Sequence, residues 1–158
     1  MSLFMLVLFL HITTMFAAVG VGYGITTFVR LAYMTGQVTA LKGVGMAAAR
    51  LTPLIPVLFI SGGLFGLLAA IVGPYSKNLL APWLVIAYVL FVIAMLIGAR
   101  VNAPEGKRLG MALRSVPDGP IPPEIDAFFT DQRMNAITVL DYVVLVLLIF
   151  DMVVKPFS

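Results

Sequence analysis

A chain of 158 residues that is 61% hydrophobic and only 11% charged, with a mean hydropathy of +1.09, is not a water-soluble domain; in such domains about a quarter of the residues are charged. Its formal net charge of +3 reads as topology information for a membrane protein and gives no reason to invoke nucleic acid. The lack of cysteine excludes disulfides, thiolate metal sites and Cys nucleophiles, and the single His excludes a His-rich metal cluster within the chain.

The hydrocarbon core of a bilayer is about 30 Å thick, so a spanning helix needs about 20 mostly apolar residues. The chain has room for four. The N-terminal run lacks the positively charged start of a signal peptide and outlasts its apolar region, so it is expected to be retained as span one, roughly 3–29, with apolar character to Tyr33. Such a length requires tilt, bending or projection. Gly20 and Gly24 form a small-xxx-small pair that admits another helix closely. In 34–50, Gly36, Gly43 and Gly45 are expected to break regular helix.

Span two, roughly 52–72, has Pro53 and Pro56 near its first turn, a second small-xxx-small pair at Gly62 and Gly66, and a stop at Gly73-Pro74. A short turn with Asn78 as a cap leads into span three, roughly 80–99, where Tyr75 and Trp83 match an interfacial aromatic belt.

The loop 100–135 is the one sizeable polar stretch. Leu109, Ala112, Leu113 and Val116 fall at helical spacing, with Lys107, Arg108 and Arg114 off that stripe. The pattern suits a short interfacial helix on an anionic leaflet, or equally a helix packed on the bundle. Pro117-Asp118-Gly119-Pro120 is a turn, and a second short helix begins at Pro122-Pro123-Glu124 with Ile125, Phe128 and Phe129 on one side. Span four, roughly 136–155, closes the chain. The fold expected is all-α: one integral membrane domain over 1–158, four transmembrane helices in an up-down bundle, and short interfacial helices between spans three and four.

The loops 30–50 and 100–135 carry Arg30, Lys42, Arg50, Arg100, Lys107, Arg108, Arg114 and Arg133, against Lys77 and Lys155 on the other side. Eight against two places both termini outside.

One imidazole and two carboxylates lie within the spans. His11 is in span one, Asp141 in the inner third of span four and Asp151 in its outer third. Intramembrane ionisable groups are functional candidates that usually have a partner. The two aspartates are about 15 Å apart along the helix, too far for a catalytic dyad. Asp141 suits pairing with Arg133 or a neighbouring loop arginine. His11 and Asp151 lie at depths of about 12 Å and 7 Å from the outer ends of their spans, and are expected to interact, with Lys155 as the competing partner. The alternative for His11 is a helix-to-helix hydrogen bond. Met15 follows His11 on the same face, and a His with a Met suits Cu(I) or one side of a haem, although a complete site needs further ligands. No Ser/His/Asp triad can be assembled around a lipid-embedded His.

The stretches LHITTMFAAVG, PWLVIAYVLFVIAM and MVVKP resemble a group of small bacterial integral membrane proteins of unknown function, with four spans, a His early in span one and a terminal Met-x-x-Lys-Pro. More distantly, span one resembles copper-resistance D-type membrane proteins and the small membrane-embedded protoporphyrinogen oxidase. That resemblance implies a multi-pass protein of the bacterial inner membrane and, through His11, copper or haem chemistry. The residues themselves favour a non-catalytic accessory or structural subunit docked to other membrane proteins in the lipid bilayer. The competing readings are a proton, copper or small-solute pathway through His11 and Asp151, and a haem-linked oxidoreductase.

Overall fold

The computed structural model describes residues 2–156, which are mostly helical with no strand among them. Four helical stretches, Leu3–Met34, Val38–Val72, Pro82–Ser115 and Pro123–Val154, are long and apolar enough to cross a membrane. The chain forms two compact units, Met1–Leu79 and Leu80–Ser158.

In the first unit, α1 (Leu3–Met34) starts at Ser2, whose hydroxyl accepts from the Met5 N–H, a standard way to satisfy a free donor at a helix start. The helix runs past its apolar core and turns at Gly36, whose φ of +71° is open to glycine at little cost. There α2 (Val38–Leu51) begins and folds back on α1. Gly43 and Gly45 lie inside α2, contrary to the expected break. Each glycine costs a helix about 1 kcal/mol relative to Ala. Burial of Val38 and Leu41, 0% and 1% exposed, offsets that cost.

The second apolar helix of the unit, α3 (Leu54–Val72), has Pro53 at its cap and ends at Gly73. It packs along α1 as an antiparallel partner. Phe4, His11, Met15 and Gly22 descend α1 at steps of seven, four and seven residues. Their opposite numbers on α3 are Gly73, Gly66, Gly62 and Ile55, which ascend at the same steps. Such a heptad-like seam keeps facing side chains in register along two helices. Three large side chains of α1 thus lie against three glycines of α3, which lets the backbones approach closely.

In the second unit, α4 (Pro82–Ile97) has Ala81 at its cap and Pro82 at its first position, so the capping role expected of Asn78 falls three residues later. Trp83 is 5% exposed and its ring lies under the Lys155 ammonium at 5.5 Å, so it faces protein where an interfacial belt position was expected. The chain then widens into a π-helical turn at Gly98–Asn102, where the Ala103 N–H reaches back to the Gly98 carbonyl, and continues without a break as α5 (Ala103–Ser115). Pro104 explains the widening. A proline within a helix has no N–H and its ring clashes with the carbonyl four residues earlier, here Arg100, and one wider turn relieves the clash. The predicted interfacial helix is therefore an extension of the third span. Its stripe faces as expected, with Leu113 and Val116 buried and Lys107, Arg108 and Arg114 exposed.

The turn through Gly119, at φ +147°, leads to α6 (Pro123–Thr130), whose Ile125 is fully buried. Asp131 breaks the helix and caps the next, its Oδ1 accepting from the Arg133 N–H at 2.8 Å. The last helix, α7 (Gln132–Val154), packs antiparallel on α4: Asn102 meets Asp141 at one end and Trp83 meets Lys155 at the other.

Candidate functional site

Two polar positions within the long apolar helices stand out, one in each unit. In the first, the α1–α3 seam holds His11. Its Nδ1 lies 2.7 Å from the Gly62 carbonyl oxygen. A carbonyl can only accept, so Nδ1 carries the proton and donates. The ring stands over Gly66, where a Cβ would come within 2.8 Å of Cε1 and Nδ1. Thr14, one turn further along, donates to the Leu10 carbonyl at 2.7 Å and to the His11 carbonyl at 3.1 Å. Met15 Sδ lies where a Cβ on Gly62 would meet it at 2.6 Å. His11 and Met15 are thus both wedged into the seam, and the imidazole makes the helix-to-helix hydrogen bond that was one of its two sequence readings.

Gly62 and Gly66 are close-approach positions. A Cβ at Gly20 or Gly24 would meet nothing within 4 Å, so the first small-xxx-small pair approaches no helix of its own unit.

His11 and Met15 together offer two soft donors, and among the described residues no three His, Cys, Asp or Glu side chains gather as a metal site. Copper fits poorly to a thioether and an imidazole already packed against glycines. Haem fits no better, since the imidazole is packed against Gly66 and tied through Nδ1 to the Gly62 carbonyl.

In the second unit, Val144, Leu148 and Asp151 line the buried face of α7. Asp151 is 3% exposed, and neither carboxylate oxygen has a hydrogen-bond partner among the described residues. Lys155, one partner expected for it, does not reach it and its Nζ sits over Trp83; His11, the other, lies in the first unit. The Tyr88 hydroxyl on α4 is also buried without a partner. Counting from the Trp83–Lys155 contact, Tyr88 lies about 7.5 Å and Asp151 about 6 Å inward, so the two unsatisfied groups share a level. Sequence alone marked Asp151 but not Tyr88, because a tyrosine in an apolar run reads as ordinary packing.

Asp141 accepts from Asn102 Nδ2 at 3.3 Å, which ties α7 to the π-helical turn. This contact was missed because Asn102 lies beyond the apolar run of span three, and only the helical extension brings it alongside α7.

Compared with protein-family models, with curated proteins and with solved structures, the chain gives no match.

Proposed function

We propose that the chain is a multi-pass protein of the bacterial inner membrane that serves as a non-catalytic accessory subunit of a larger membrane complex. The observation that carries this reading is the open Gly20/Gly24 face of α1. Small residues four apart favour close helix contact in lipid, and here the matching helix is not part of its own unit. Two features support the reading. Each apolar span buries only 11–17% of its window within the chain. The one histidine is used to clamp α1 to α3. The four spans form an up-down bundle with both termini on the outer side and the arginine-rich 30–50 and 100–135 segments inside, following the excess of basic residues there.

Purification in mild detergent, with identification of co-purifying proteins and measurement of the complex mass, tests the proposal. Stable membrane-protein partners or a defined oligomer, lost on Gly20→Leu or Gly24→Leu, is the expected result. A lone monomer in native membranes, unaffected by either substitution, overturns it.

A second reading rests on Asp151. A buried, unpartnered carboxylate in a span is costly and is a hallmark of ion or proton pathways. Proton or cation flux in vesicles that is abolished by Asp151→Asn, with the protein still folded, supports transport over a purely structural role.

A further inference from the structure

The arginine-rich end of the second unit contains a pocket of about 200 Å³ where the π-helical turn, α5 and the start of α7 converge. Its charged lining is Arg100, Arg108 and Arg133 with Glu105 and Asp131. The two carboxylates are already engaged. Glu105 Oε1 pairs with Arg108 at 2.5 Å, and Asp131 Oδ1 caps α7 through the Arg133 N–H. Arg108 also lies over the Phe128 ring at 5.8 Å, which fixes its guanidinium against α6. The guanidinium groups of Arg100 and Arg133 make no hydrogen bond or ion pair among the described residues. Three guanidinium groups therefore share one pocket with two carboxylates, an excess of positive charge, and those of Arg100 and Arg133 are not paired directly.

The position of the pocket identifies its ligand. Arg100 follows the apolar run of α4 by three residues, and Arg133 precedes the apolar run of α7. Because α4 and α7 are antiparallel, both arginines lie at the same boundary of the two spans. Val101 and Ile137 supply apolar wall beside the charges. A guanidinium is a planar fork of donors that matches the oxygens of a phosphate. We propose that this pocket binds the phosphate group of an anionic lipid headgroup, with Arg100 and Arg133 as the ligating side chains. Basic pockets between spans at the inner leaflet are a recognised form of lipid site. A membrane-embedded chain meets a lipid phosphate at this depth before any soluble anion.

The test titrates the full chain, purified in mild detergent, with phosphatidylglycerol and separately with phosphatidylcholine, and counts bound lipid by native mass spectrometry. Each arginine near the surface is worth about fivefold in affinity, so Arg100→Gln with Arg133→Gln weakens phosphatidylglycerol binding by about 25-fold. Arg114→Gln, on the exposed side of α5 and outside the pocket, removes no ligating side chain and leaves phosphatidylglycerol binding close to that of the unmodified chain. Should the double variant fail to fold, as judged by thermal unfolding, each single variant carries the test with an expected loss of about fivefold. Four results overturn the proposal: undiminished binding by the folded variants; an equal loss with Arg114→Gln, which signals diffuse surface charge; equal affinity for phosphatidylcholine; or uptake of inorganic phosphate by protein that takes up no phosphatidylglycerol.

Discussion

Replacing Gly66 with Ala adds one methyl group to the α1–α3 seam, and the geometry sets the consequence. The new Cβ would sit 2.8 Å from His11 Cε1 and Nδ1, closer than carbon atoms tolerate, so the imidazole or the helix must shift. The ring cannot swing freely, because its Nδ1 donates to Gly62 across the same seam at 2.7 Å. Overpacking of this kind costs about 1–3 kcal/mol. Loss of the inter-helix hydrogen bond adds about 0.6–1.7 kcal/mol. The gain in helix propensity from Gly to Ala returns about 1 kcal/mol. The net expectation is a loss of about 1–3 kcal/mol, which at about 2–4 °C per kcal/mol for a chain of this size is a fall in Tm of some 2–12 °C. Gly43→Ala, inside α2, is the matched control, since nothing lies within 4 Å of its Cβ position. It gains propensity without a clash and leaves Tm unchanged or slightly higher. The assay is thermal unfolding in mild detergent at one scan rate, completed as a double-mutant cycle with His11→Ala. Removing the ring relieves the clash, so Gly66→Ala becomes less damaging in the His11→Ala background. If Gly66→Ala is as stable as Gly43→Ala, or if its effect is unchanged without the imidazole, the seam is not packed as described.

Asp151→Asn keeps the shape of a 3% exposed side chain while removing an unpartnered charge; it is expected to raise stability in detergent by about 1–3 kcal/mol, and a clear loss would mean that the carboxylate is held by a cation. Ile125→Ala empties a fully buried site on α6 and costs about 2–4 kcal/mol by chemical or thermal unfolding, whereas a change under about 0.5 kcal/mol would mean that α6 is not docked. A reporter active only in the cytoplasm is expected to be silent when fused at the C-terminus and active when inserted near Gly119; the reverse pattern sinks the assigned topology.

Several features were legible in the chain itself because they depend on local rules. Four apolar runs follow from bilayer thickness and helix rise. The turns at Gly36 and Gly119 follow from glycine's access to positive φ. The inward stripe of Leu113 and Val116 and the burial of Ile125 follow from helical period. Other features required tertiary structure. Periodicity cannot say which of two glycine pairs meets a helix, because that depends on the register between α1 and α3, and the register sets His11 over Gly66 and Met15 over Gly62. The same register decides that His11 Nδ1 donates to a backbone carbonyl. Composition read 100–135 as a polar loop, yet Pro104 is absorbed by one π-helical turn and the third helix runs on to Ser115. That extension places Asn102 beside Asp141 and lines a pocket with arginines from two distant stretches of chain. Residues so separated in sequence become neighbours only when two long helices pack antiparallel, which no local rule encodes.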